Sequence, residues 1–267
     1  MSRIRRLVVA VPVRDEEHLL VRCLEAIERA RSRLEVARVR TGAVEVPVDV
    51  VVALDRCTDG SAAVARRFPV RVLELDAGAV GAARRAAGAA GLLAAEGVGV
   101  PPRSTWICCT DADSVVPREW LVRHLELADS GVDLVVGTVE PDGDTDPGLM
   151  ARWWRRHRLA EGHPHVHGAN LGVRASAYLE VGGFLPVTVG EDVALVDRLR
   201  RAGHPGVSTD RTRVRTSGRL HPRAAQGFGS YLAELGGEAS AVAAAERGPV
   251  VQNTGLPPVT PRTVPET

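Results

Sequence analysis

Aromatic residues are scarce in this chain. Trp, Tyr and Phe together make up 3% of its 267 residues, so aliphatic side chains must fill whatever core it builds. Long apolar runs are also missing; none approaches the ~20 residues that a membrane-spanning helix needs. The four cysteines, Cys23, Cys57, Cys108 and Cys109, form no CxxC pair. That argues against a disulfide framework and for buried free thiols in a reducing compartment. Neither sign of charge is in excess, with a formal net charge of +1, which removes the electrostatic signature of a nucleic-acid or membrane-surface protein. A secretory leader is not expected. Arg3, Arg5 and Arg6 precede an apolar run, but that run is short, is broken by Pro12, and meets Arg14-Asp15-Glu16-Glu17 at once. The expected location is therefore cytoplasmic.

What remains is an ordinary globular mixture, 45% hydrophobic and 25% charged, long enough to bury a large core without staples. The abundance of Ala, Val, Gly and Arg reads as a base-composition bias of the genome. Val-rich runs at Leu7–Val13, Val48–Leu54, Val70–Leu75, Trp106–Thr110 and Leu134–Val139 predict buried strands. Helical patterns fall between them. Asp15 is positioned to cap a helix with Leu20, Leu24 and Ile27 on one face; another helix starts at Ser61. An Ala/Gly-rich helix over Ala79–Ala95 can pack closely on a sheet, and Trp120, Leu121, Leu125 and Ala128 mark a further one. This alternation predicts an α/β fold, with a mostly parallel central sheet and helices on both faces.

The second half is less regular. It predicts a helix over Gly148–Leu159, a short strand at Leu171–Val173, a helix opening near Glu191, a strand at Val207–Val214 and a late helix over Phe228–Ala245. Residues 1–247 read as one domain, with halves meeting near residue 140. Residues 248–267 are rich in Pro, Gly and Thr and read as a disordered tail.

Ligands of open parallel sheets bind at the carboxyl ends of strands. Three predicted strand ends carry polar clusters: Arg14-Asp15-Glu16, Asp55, and Asp111-Ala112-Asp113. Two carboxylates one residue apart, just past a buried strand, can both reach a hard divalent cation, which would neutralise a diphosphate. Taken alone, Asp111 and Asp113 better suit a solvated turn, with Asp113 or Ser114 capping the next helix. Glu191 and Asp192, taken alone, equally suit the acidic first turn of a helix.

The order of the motifs is more specific. Val-Pro-Val-Arg-Asp-Glu-Glu at 11–17 is followed by Leu-Asp-Arg-Cys-Thr-Asp-Gly at 54–60, Gly-Ala-Ala-Arg-Arg at 81–85 and Asp-Ala-Asp at 111–113. Gly-Ala-Asn-Leu-Gly-Val-Arg at 168–174, Gly182-Gly183-Phe184 and Gly190-Glu191-Asp192 complete the series. This series resembles glycosyltransferase family 2 with its GT-A (Rossmann-like) fold, from about Leu7 to Leu235. The resemblance implies transfer of a sugar from a nucleotide-sugar donor, most often a UDP-sugar, to an acceptor hydroxyl, with Mn2+ or Mg2+ and with inversion. It implies that Pro12, Arg14 and Glu16 line the nucleotide pocket, that Asp55 bonds the base, and that Arg84 approaches the nucleotide. Asp111 would face the ribose and sugar, with Ala112 keeping the backbone close, and Asp113 would bind the metal. Asp192 would be the general base with Glu191 beside it, while Gly168 and Asn170 lie in the segment where donor sugar and acceptor meet. His221 is a candidate further metal ligand, set against an exposed loop histidine.

Some features depart from the family's usual pattern. Asp15 stands where Asn is commoner, and Leu54-Asp55 where two acids are commoner. The Gln-x-x-Arg-Trp motif of processive, membrane-bound members is absent, which favours a single transfer to a small-molecule, glycan or lipid-linked acceptor. A sugar-1-phosphate nucleotidyltransferase would carry a Gly-rich basic loop where this chain has Arg14-Asp15-Glu16-Glu17; a catalytically silent nucleotide-sugar binder would have no need of Asp192. His163, His165 and His167 alternate, as for a shared face, and read as a metal site or, better, as a polar acceptor-site loop. The segment Arg152–Arg158 mixes Trp153 and Trp154 with arginines, which suits a membrane interface or a helix burying its tryptophans. The arginines from Arg211 to Arg219 are open to donor or acceptor phosphates.

Overall fold

The computed structural model describes residues 2–219 and 229–236. Its centre is one eight-stranded sheet in the order β3-β2-β1-β4-β7-β6-β8-β5. On one side of that sheet, β1 (Arg6–Val13) lies between β2 (Val48–Asp55) and β4 (Thr105–Cys109), with β3 (Arg71–Leu75) outside β2, all parallel. Strand β1 is almost wholly buried because both of its faces are covered, which is why it reads as an unbroken apolar run. Leu7, Val9, Val11 and Val13 pack toward α1 (Leu20–Arg40), α2 (Ser61–Ala65) and α4 (Trp120–Asp129). Val8 and Ala10 face the opposite layer, with α3 (Val80–Gly97) and α7 (Glu191–Arg201). Gly91 brings α3 against β1 so closely that a Cβ there would run into Val8.

The other side of the sheet is mixed. Strand β7 (Leu171–Arg174) runs antiparallel between β4 and β6 (Leu134–Pro141). Beyond β6 lies β8 (Gly206–Thr216), parallel to it. The two-residue β5 (Ser114–Val115), directly after the Asp111–Asp113 turn, pairs antiparallel with the end of β8. Neither β5 nor the short α6 (Ala175–Glu180) was expected from the sequence. Through β5, the fourth strand's polar turn is joined to the last strand of the sheet.

One capping expectation fails. Helix α1 begins at Leu20 with Leu19 at its cap position and no side-chain cap. Asp15 has φ +51° and turns toward the next loop instead. Helix α5 (Pro147–Arg156) is capped by Asp146, whose carboxylate accepts the Leu149 N–H at 2.8 Å. Trp153 is buried on it and Trp154 is exposed. Residues 229–236 are helical and set Leu232 and Leu235 against Leu149 and Trp153. The rest of the expected Phe228–Ala245 helix, and the 248–267 tail, lie outside the described residues. All four thiols are free, and Cys23, Cys108 and Cys109 are buried. Among the described residues no helix is long and apolar enough to cross a membrane.

Candidate active site

The loops after β1 and β2 are stitched into one rim. The Asp15 carboxylate accepts the Thr58 N–H at 2.7 Å and the Asp59 N–H at 3.3 Å. Asp59 in turn accepts the Glu17 N–H, Glu17 accepts the Gly60 N–H, and Ser61 Oγ accepts the Glu16 N–H. Arg56 also has positive φ, +56°, so both loops hold a non-glycine residue in the left-handed region. Such backbone persists where surrounding bonds over-determine it.

Asp55 is buried beneath this rim. Its carboxylate accepts the N–H groups of Ala77, Gly78 and Ala79 at 2.8, 2.9 and 3.0 Å. It organises the loop that leads into α3, and a contact with a nucleotide base does not follow from that placement. Pro12 is buried in β1 opposite Ala53, while Arg14 is exposed at the strand end.

Arg84, in the first turns of α3, ties the two halves of the site together. Its guanidinium, 3% exposed, bonds Asp111 with one nitrogen and Glu191 with the other. A buried arginine between two carboxylates compensates charges that would otherwise be costly to desolvate. Gly168 makes room for it, since a Cβ there would stand 2.5 Å from the Arg84 guanidinium. Arg84 is therefore a keystone between carboxylates of β4 and α7.

Asp113 is oriented differently. Thr216 Oγ donates to it at 3.2 Å, and Arg219 lies 3.0 Å from its other oxygen. Arg219 also grips the buried Glu16 with both terminal nitrogens, at 2.5 and 2.9 Å. Burial, together with Asp111 and Glu16, pushes the Asp113 carboxyl up to about 6 against the opposing pull of Arg219. Ala112, between the two aspartates, is buried. Arg219 falls within the arginine stretch flagged by the sequence, but its pairing with Glu16 has no local signal.

On the facing side, Asp192 opens α7 behind Gly190, whose φ is +77°. One carboxylate oxygen accepts the Gly168 N–H at 2.7 Å and the other the Val193 N–H at 2.8 Å, so the group is held without being buried. His167 sits near it, and burial, with the other histidines, pushes its imidazole down to about 4. His163, His165 and His167 form a column, with ring centroids 5.9 and 6.1 Å apart, and His157 joins at 5.4 Å from His165. Stacked faces do not converge their nitrogens on one ion. Among the described residues only Asp15, Cys57 and Asp59 bring three ligand atoms together, and that cluster holds the rim just described.

Asn170 is bonded at both ends of its amide. It is fully buried; its amide donates to the Thr138 and Thr212 carbonyls at 2.8 Å each and accepts from Trp120 Nε1 at 3.0 Å. With both amide ends engaged, it joins α4, β6 and β8. His221 lies outside the described residues.

The carboxylates of Asp111 and Glu16 lie close enough to act on Asp113, with the Arg84 and Arg219 guanidinium groups as balancing cations and the Cys23 thiol bordering them. The raised Asp113 carboxyl records its burial first and that neighbouring negative charge second. A hard divalent cation would relieve it, taking remaining ligands from phosphate oxygens and water.

Comparison with known proteins gives the following. Residues 8–178 match the family model described as glycosyl transferase family 2. Staphylococcus aureus TarS residues 1–349, solved in complex with UDP, superpose with a TM-score of 0.56 at 11% identity, covering 80% of this chain and 61% of that one. The mannosyltransferase PcManGT from Pyrobaculum calidifontis, in complex with GDP-Man and Mn2+, gives 0.54 at 18% identity, covering 94% and 77%. GalNAc-T7 with UDP, GalNAc and Mn2+ gives 0.56 at 12% identity, covering 81% of this chain and 44% of that one. This chain thus spans about three fifths of the TarS fragment. No curated protein matches its sequence. At these identities the likeness to solved structures is one of fold, the GT-A architecture.

Proposed function

The chain belongs to glycosyl transferase family 2, and from that premise we propose that it is a glycosyltransferase that moves a sugar from a nucleotide-sugar donor to an acceptor hydroxyl between the end of β4 and the start of α7, with inversion and one transfer per acceptor. The observation that carries this reading is the Asp111–Arg84–Glu191 bridge, which fixes the strand-end acids and the Glu191-Asp192 pair as one unit. A donor-binding carboxylate and a base must keep their separation through the reaction, and a buried charged bridge maintains it.

In this reading Asp113 holds a divalent cation, Mn2+ or Mg2+, with Asp111 beside it and His221 as a candidate further ligand. When bound, that cation neutralises the charge that develops on the departing diphosphate. Asp192, oriented by two backbone N–H groups, takes the proton of the acceptor hydroxyl as its oxygen attacks the anomeric carbon. The nucleoside diphosphate leaves from the opposite face of the sugar. Arg84 keeps Glu191 and Asp111 from repelling donor and base. Solved structures of the same fold hold UDP in two cases and GDP-Man in one; the UDP-sugar assignment rests on family precedent. The acceptor is a small molecule, a glycan or a lipid-linked molecule.

The test is a thermal-shift panel of nucleoside diphosphates and nucleotide sugars, each with and without Mn2+. One nucleotide should raise the melting temperature, only with Mn2+, and Asp113→Ala should lose the response. Asp192→Asn should keep that response while turnover drops by about two to four orders of magnitude. A panel with no response to any nucleotide would remove the donor assignment.

A further inference from the structure

The end of β8 is fastened to the proposed metal ligand by three separate contacts. Thr216 Oγ donates to one Asp113 carboxylate oxygen at 3.2 Å, and the Ser217 N–H donates to the Asp113 carbonyl at 3.2 Å. Arg219 lies 3.0 Å from the other carboxylate oxygen. The same guanidinium holds both oxygens of Glu16, at the end of β1 and 203 residues away in the chain. Its side chain is 29% exposed, whereas those of Glu16 and Asp113 are 8% and 16% exposed, so Arg219 closes over them from the solvent side.

A guanidinium placed against two carboxylates at the carboxyl ends of a parallel sheet occupies electrostatically the position that a divalent cation would take. The two cannot share Asp113 without strong repulsion. The chain contains no lysine, so all 34 of its basic residues are arginines. A planar guanidinium, once released, presents paired donors that suit a phosphate.

We propose that Arg219 is the resident counter-ion of the donor site: it holds the 216–219 strap shut over Glu16 and Asp113, yields Asp113 to an arriving divalent cation, and then binds the donor's diphosphate. This deepens the glycosyltransferase reading and rests on it. The cation and Arg219 compete for one carboxylate, while the diphosphate requires both. Donor loading and strap opening thereby become one event.

The experiment uses the full chain, with Mn2+ binding followed by the electron paramagnetic resonance signal of free Mn2+ and UDP (or GDP, if the nucleotide panel selects it) binding by calorimetry in saturating Mn2+. Arg219→Gln should bind Mn2+ alone roughly tenfold more tightly and the nucleotide roughly tenfold more weakly. Arg219→Lys keeps the charge but not the fork, and should restore the Mn2+ affinity toward wild type while leaving the nucleotide weakly bound. Circular dichroism confirms that each variant is folded. Mn2+ affinity unchanged or weakened in Arg219→Gln overturns the competition, and unchanged nucleotide affinity overturns the handover. Asp113→Asn separates the premise from the inference. If it leaves Mn2+ binding intact, the metal assignment itself fails; if it abolishes binding while Arg219→Gln has no effect, only the role of Arg219 fails.

Discussion

Replacing Asp113 by Asn should stabilise the unliganded protein while abolishing its response to divalent cations. The carboxyl is raised to about 6 from an ordinary 3.8, chiefly by burial and by Asp111. A folded-state value above the unfolded one means that ionisation opposes folding. The penalty is fully present above pH 6, shrinks as pH falls through 6, and is gone below about 4. The gap between the two values corresponds to about 3 kcal/mol. The structure trims this figure. Asn keeps an acceptor for Thr216 but gives up the attraction of Arg219, so a gain of about 1–3 kcal/mol at pH 7.5 is expected. For a chain of this size that is roughly 3–10 °C in melting temperature. Thermal unfolding of wild type and Asp113→Asn in chelator, at pH 7.5 and 4.5, checks it. The gain should be present at pH 7.5 and cut to about a third at pH 4.5, where the folded carboxyl is neutral but the unfolded one is still largely ionised. A variant that is less stable at pH 7.5, or a gain independent of pH, would refute the argument that Asp113 is held in a destabilised, ligand-ready state.

Arg84→Met orphans the buried Glu191 and takes the partner from the third-exposed Asp111, and should cost about 3 kcal/mol by urea unfolding at pH 7.5. Acidification, which protonates the orphaned carboxylates, should recover part of that loss; a cost under about 1 kcal/mol would mean that the bridge is not a keystone. Asn170→Ala takes a donor from two strand carbonyls and the acceptor from the Trp120 N–H and should cost about 3 kcal/mol, with acceptor KM unchanged in the folded fraction. A small loss of stability with a changed acceptor KM would return Asn170 to the acceptor site.

Much of the architecture is set by short-range pattern. Leu7–Val13 announces a strand covered on both faces because its side chains alternate between two layers that are both apolar. The polar residues after β1, β2 and β4 gather at one edge, the one proposed to bind ligand, because parallel strands that share a direction also share an end. The Ala/Gly content of α3 fits its close approach at Gly91. These features are properties of a few neighbouring residues, so the sequence alone determined them.

Tertiary structure decided the rest, wherever the deciding partner is remote. Strand β7 is antiparallel because of where the chain returns after α5, which four residues cannot encode. Asp15 has the chemistry of a helix cap, yet two N–H donors from the next loop compete for it and win. Asp55 and Asn170 have the residue types of binding groups, and burial turns both inward to satisfy backbone polar groups. Arg84 meets Glu191 across 107 residues, and Arg219 meets Glu16 across 203. A charge carries no record of its partner along the chain; only the packed sheet, by bringing the ends of β1, β4 and β8 to one place, determines which carboxylates each arginine neutralises.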